Sequence, residues 1–141
     1  MAEPCLEIQK DVRKSYELTA SKSKIKASAE YLEKNYQRPN LSIAEVASKF
    51  FMSEVHFRKL FKQEYGISPR KYLIRLRMQN AALMISVGLY TLQEVASMSG
   101  YTDYKYFCSE FKNYIGVSPS KYTYNFYDLY HIKSNRTVSR K

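Results

Sequence analysis

Apolar residues return along much of this chain at steps of three and four, with Lys, Arg, Glu, Gln and Ser between them. That period belongs to a helix with one packed face. Ile25, Ala29, Tyr31, Leu32 and Tyr36 predict a first helix from Lys24 to about Gln37, ending before Pro39. Leu73, Leu76, Ala81, Leu83 and Met84 predict a long one from Pro69 to about Val87, stopped near Gly88. Residues 6–18, with Leu6, Val12, Tyr16 and Leu18, suit a further amphipathic helix, and the Thr19 to Ser23 stretch reads as a linker. No segment makes a convincing strand.

The pattern is written twice. Ser-Ile-Ala-Glu-Val-Ala-Ser at 42–48 returns as Thr-Leu-Gln-Glu-Val-Ala-Ser at 91–97, an offset of 49. The run from Phe57 to Pro69 returns from Phe107 to Pro119, an offset of 50. Matching Glu, Ala, Phe, Gly and Pro over both blocks mark one unit present twice. Within each, Ser42 with Glu45 and Thr91 with Glu94 fit a capping box, which starts a short helix. A second helix follows, from about Ser53 to Tyr65 and from about Asp103 to Ile115, each closed by a glycine, Gly66 or Gly116. Ser68-Pro69 and Ser118-Pro119 then open further helices with a cap and a first-turn proline.

The expected fold is therefore all-α, about seven helices, with two helix-turn-helix subdomains joined by a long linker helix. Residues 1–23 are expected to be a linker or partial helix, 24–87 the first subdomain with its linker helix, 88–124 the second, and 125–141 a polar tail.

Charge sharpens the picture. Among 141 residues, 23 Lys and Arg stand against 13 Asp and Glu, a formal +10, which favours nucleic acid or an anionic surface. The excess is local. Between 56 and 77 lie Arg58, Lys59, Lys62, Arg70, Lys71, Arg75 and Arg77 against Glu64 alone, whereas 91–122 is balanced. On a wheel of the second helix of the first unit, Phe57, Leu60 and Phe61 gather on one side and Val55, Arg58, Lys59 and Lys62 on the other. In the second unit Phe107 and Phe111 take the inner side, and Lys105, Cys108, Ser109 and Lys112 the outer, with Tyr104 at its edge. A capped short helix followed by one with an aromatic inner face and a cationic outer face suits entry into a DNA major groove. The linker helix, at about 27 to 30 Å, comes close to the roughly 34 Å between successive major-groove segments on one face of B-DNA.

These residues resemble a known family. Glu45-Val-Ala, Phe57-x-x-x-Phe61-Lys and Gly66-Ile-Ser-Pro69, repeated as Glu94-Val-Ala, Gly100-Tyr, Phe107-x-x-x-Phe111-Lys and Gly116-Val-Ser-Pro119-Ser-Lys-Tyr122, are similar to the DNA-binding domain of AraC/XylS-type transcription regulators. The resemblance covers about residues 24–124. It implies two helix-turn-helix subdomains that read double-stranded DNA, transcription activation through RNA polymerase, and, in larger members, a preceding sensor or dimerisation domain. Carried over by position, base reading falls on Val55, Arg58 and Lys59, and on Tyr104, Lys105, Cys108 and Ser109. Lys62, Lys112, Arg75 and the helix starts at Ser42, Ser53, Thr91 and Thr102 are better suited to phosphate. Two departures stand out. Phe51 occupies the first turn where the family often has glycine, so that turn is expected to differ locally. Ser109 stands where arginine is frequent, which leaves the first unit as the main sequence-specific anchor.

Other chemistry finds little support. His56 and His131 are too few and too poorly placed for a zinc site or a triad, and no phosphate-gripping glycine loop or G-x-S-x-G is present. No enzyme activity, metal or cofactor is expected. Cys5 and Cys108 lack metal spacing, and a reducing cytoplasm is the natural setting. The longest apolar run, Ala81 to Ile85, falls far short of the roughly 18 residues a membrane span needs, and the opening residues carry no signal-peptide pattern. The tyrosines at 31, 36, 65, 72 and 122 are expected in the core. The rival function is a basic helical adaptor for an acidic protein or anionic surface, and RNA binding is a second.

Overall fold

A computed structural model describes residues 3–129. It contains α1 (Glu3–Asn35), α2 (Ile43–Lys49), α3 (Glu54–Tyr65), α4 (Pro69–Val87), α5 (Leu92–Met98), α6 (Tyr104–Ile115) and α7 (Pro119–Leu129), with no strand among the described residues. The all-α expectation with seven helices holds. The expected polar tail starts later than residue 125: residues 125–129 belong to α7, and residues 130–141, His131 included, lie outside the described residues.

The start of the chain carries the helix expected over residues 6–18 and departs from expectation after it. Residues 19–23 are not a linker: α1 runs unbroken for 33 residues. Between Cys5 and Arg38 there is neither glycine nor proline to stop it. The serine and threonine hydroxyls, which elsewhere favour turns, bond back along the helix instead. Thr19 Oγ1 donates to Ser15 O at 2.9 Å, and the buried Ser28 Oγ donates to Ile25 O at 2.6 Å. Val12, Tyr16 and Leu18 are all exposed, so no packed face marks that half of the helix.

Two compact units divide the chain. Among the described residues, one comprises 3–35 and 40–73, the other 36–39 and 74–129. The division falls inside α4 rather than after residue 87, and its cause is visible in what α4 buries. Tyr72 and Leu73 are buried in the first unit, Met78, Ala81 and Ile85 in the second.

In the first unit α1 packs on α2 and α3. Ile25, Ala29 and Leu32 of α1, and Ile43, Val46, Ala47, Phe57 and Phe61 of α2 and α3, are buried in this unit. Phe61 stands edge-on to both Phe57 and Tyr72, with ring centroids 5.7 and 5.3 Å apart. The second unit repeats the plan with α5, α6 and α7, around Val95, Ala96, Tyr101, Phe107 and Phe111. Truncating one such buried ring to alanine costs about 3 to 5 kcal/mol. Of the tyrosines expected inside, Tyr72 is buried and Tyr31, Tyr36, Tyr65 and Tyr122 are half-buried, their hydroxyl ends making full enclosure costly.

The boundaries follow local chemistry. Ser42 Oγ accepts from Glu45 N at 3.1 Å, Ser53 Oγ from His56 N at 3.2 Å, and Ser68 and Ser118 do the same for Lys71 and Lys121 at 3.2 Å. Thr91 and Glu94 close a reciprocal capping box. Thr102 is not the cap of α6: Asp103 is, its carboxylate accepting from Tyr106 N at 3.2 Å. An aspartate caps as well as a hydroxyl and brings a charge that the positive helix end favours. Gly66 and Gly116 end α3 and α6 in the left-handed conformation.

Phe51 does not reshape the first turn. It adopts φ 59 itself, matching Gly100 at φ 95 in the second. The turns share their hydrogen bonds: Met52 N to Ala47 O at 2.9 Å corresponds to Tyr101 N to Ala96 O at 3.0 Å. The geometry that joins the two helices prevails over the side-chain preference, at a cost of roughly 1 to 2 kcal/mol for a non-glycine residue.

Candidate nucleic-acid interface

Each unit presents the second helix of its pair with one side sunk and the other open. In α3, Phe57 and Phe61 are fully buried, while Val55, Arg58, Lys59 and Lys62 are exposed. Val55 is 80% exposed, an apolar side chain left in water beside three cations. Its position is no product of core packing. The helix starts at a neutral cap, Ser53, followed at once by the Glu54 carboxylate in its first turn.

Arg58 is not loose on this face. Its Nη2 donates to Glu54 Oε1 at 2.7 Å, one turn back along α3. Glutamate four residues before a basic residue is a pairing the sequence already offers. Sequence reasoning placed Arg58 on the outer face and overlooked the carboxylate beside it.

The α6 surface is different in kind. Lys105, Ser109 and Lys112 are exposed, whereas Tyr104 and Cys108 are half-buried and pack against the core of the unit. The Tyr104 ring stacks near Phe107 at 6.2 Å between centroids. Burial raises the Tyr104 hydroxyl pKa above its ordinary value, and the neighbouring Cys108 adds to the effect. Both residues therefore spend part of their surface on the fold. Asp103 places a carboxylate at the helix end where a phosphate would otherwise be attracted.

The remaining phosphate candidates also divide. Ser42, Ser53, Thr91 and Thr102 are exposed, and the hydroxyl protons of the first three stay free to donate because their oxygens accept in the caps. Arg75 is half-buried within the second unit.

Arg77, counted with the basic run, is committed elsewhere. Its Nε donates to Tyr36 O and its Nη2 to Arg38 O, both at 2.9 Å, and the guanidinium lies 5.4 Å from the Tyr101 ring centroid. Residues 36–39 are thereby fastened within the second unit. No periodic pattern flags such a role, since backbone carbonyls leave no mark in the sequence.

Among the described residues no group of His, Cys, Asp or Glu could hold a metal ion, and no helix is long and apolar enough to cross a membrane.

With the geometry in hand, the likeness to known proteins is specific. The family profile described as Helix-turn-helix domain matches residues 30–125. The chain belongs to the AraC-type helix-turn-helix family. It is 32% identical over 94 residues to the probable transcriptional regulator LumQ of Photobacterium leiognathi, covering 67% of this chain and 38% of that protein. The C-terminal domain of AraT, a response regulator from Geobacillus stearothermophilus, superposes with a TM-score of 0.70 at 30% identity, over 72% of this chain and 84% of that one. The DNA-binding domain of AdpA, solved in complex with a target DNA, shares the fold at a TM-score of 0.69 and 20% identity, over 74% of this chain and 93% of that one. The chain spans well under half the length of the curated relatives it matches first.

Proposed function

We propose that this AraC-type domain is the sequence-reading part of a transcription regulator, seating α3 and α6 in successive major-groove segments of one DNA duplex. The observation that carries the reading is the open side of α3. Val55, Arg58, Lys59 and Lys62 stand exposed on a helix whose opposite side is anchored by two fully buried phenylalanines. Arg58 reads a guanine edge through O6 and N7, Lys59 reads a guanine or binds phosphate, and Val55 touches a thymine methyl. The α6 readers are Tyr104, Lys105, Cys108 and Ser109. Lys62, Lys112 and Arg75, with the hydroxyls of Ser42, Ser53, Thr91 and Thr102, bind phosphates and fix the register. The half-buried Tyr104 and Cys108 support a weaker α6, with α3 as the anchor.

In the cytoplasm, the regulator acts as an activator by meeting RNA polymerase. The resemblance alone supports activation through RNA polymerase, and the sparse cysteines support the cytoplasm.

Selection from a random duplex pool tests the reading. The expected result is a motif of two blocks about one helical turn apart. Enrichment of no motif would favour a basic adaptor, and stronger competition by RNA than by duplex DNA would favour RNA binding. Loss of binding in Lys105→Ala with none in Arg58→Ala would reverse the ranking of the two helices.

A further inference from the structure

The acid beside the first reading helix is out of place on a surface meant for phosphates. Glu54 is the first residue of α3, where the positive helix end favours a carboxylate. It takes no part in closing that end, which Ser53 does through His56 N at 3.2 Å. Its described partner is Arg58, with Nη2 to Oε1 at 2.7 Å and the two side chains 44% and 42% exposed. An exposed pair of this kind contributes little to folding. Its consequence lies in what it does to the arginine.

A guanidinium has five N–H donors in a rigid fork. Glu54 engages one of them and leaves the others for a two-pronged bond to a base edge. A free arginine on a helix samples many rotamers, and most of them can meet a phosphate as easily as a guanine. Tied one turn back, Arg58 presents its fork in a restricted direction. The carboxylate also repels the sugar-phosphate backbone, so it opposes binding wherever the base contact is not made. At the matching positions of the second unit stand Tyr104 and Cys108, which carry no such charged pair.

We infer that Glu54 sets the selectivity of the first reading helix, orienting Arg58 toward a base edge and penalising binding that engages phosphate alone. The inference rests on Arg58 reading a base. Glu54 is a positioning residue: it acts through Arg58.

The test uses the full chain, a duplex carrying the motif selected by the wild-type protein, and single-base-pair variants of that duplex. Affinities are measured at fixed salt for wild type, Glu54→Gln, Glu54→Asp and Arg58→Ala. Arg58→Ala first identifies the base pair that Arg58 reads. At that pair Glu54→Gln is expected to lose about fivefold or more of the discrimination, while binding random duplex more tightly than wild type. Glu54→Asp keeps the charge on a shorter arm, and is expected to restore weak binding to random duplex but only part of the discrimination. Unchanged preference at that pair in Glu54→Gln overturns the inference and leaves Arg58 as reader. Unchanged preference everywhere in Arg58→Ala overturns the inference together with the reading beneath it, so the two failures are distinct.

Discussion

Gly100 and Tyr36 approach so closely that a Cβ on residue 100 would stand 2.5 Å from the Tyr36 carbonyl oxygen. Gly100 also holds φ 95, a conformation L side chains rarely adopt. Both constraints act within the second unit, where Arg77 Nε fixes the same carbonyl from another side at 2.9 Å. Gly100→Ala should therefore destabilise by about 3 kcal/mol, strain and overpacking together. Urea unfolding checks it; a midpoint within error of wild type would mean that Tyr36 yields freely.

The first turn predicts the opposite sign. Phe51 sits in the equivalent left-handed position and is 88% exposed, so its ring contributes little packing. Phe51→Gly removes strain of roughly 1 to 2 kcal/mol and adds unfolded-state entropy of roughly 0.5 to 1, for a net gain near 1 kcal/mol. A rise in thermal midpoint is the expected outcome, and a fall would show that packing of the ring within the chain outweighs the backbone strain.

Arg77 offers a stability test of long-range hydrogen bonds. Arg77→Ala leaves the Tyr36 and Arg38 carbonyls without these charge-assisted donors, at a cost of about 2 to 3 kcal/mol. Arg77→Lys recovers only part, because one ammonium cannot reproduce the fork. Denaturant titration of both variants against wild type reads the difference.

Why some of this was legible and some was not comes down to range. Caps and stops are local: Ser53, Thr91, Gly66 and Gly116 sit within a few residues of the groups they satisfy, and the sequence places them correctly. The inner faces of α3 and α6 are periodic, so Phe57, Phe61, Phe107 and Phe111 could be assigned to the core. The Thr19 to Ser23 stretch misled because hydroxyl residues serve turns and helices alike, and the absence of glycine and proline was the better guide. Arg77 reaches residues about 40 positions away, and nothing in a linear pattern separates it from the cations left in solvent. The base-reading assignments came from the family resemblance, because exposure and charge alone do not distinguish a reader from a bystander.

The α5 cap titrates. Glu94 accepts from Thr91 N at 2.9 Å while Thr91 Oγ1 accepts from Glu94 N at 3.1 Å. The backbone N–H of Thr91, and after it the side chain, hold the Glu94 carboxyl below its ordinary pKa of 4.5. A lowered native pKa means stability that is present above the unfolded value and is lost as pH falls through the native one. Thermal midpoints of wild type and Glu94→Ala should thus differ at about pH 6 and converge toward about pH 3. A gap that widens in acid would contradict the assignment.

The tightest check on the interface separates positioning from reading by salt. Lys62 lies on the open side of α3 beyond the reach of its buried face, and Lys112 holds the matching place on α6. If each neutralises one phosphate, Lys62→Ala weakens every duplex alike and reduces the slope of log affinity against log salt by about 1. Arg58→Ala should instead cost about 1 to 3 kcal/mol on the selected duplex, with the loss concentrated at one base pair. Lys112→Ala should resemble Lys62→Ala in slope, because phosphate contact does not depend on which helix reads more strongly. Should Arg58→Ala act uniformly across sequences, Arg58 belongs with the anchors, and the reading of α3 would fall to Val55 and Lys59.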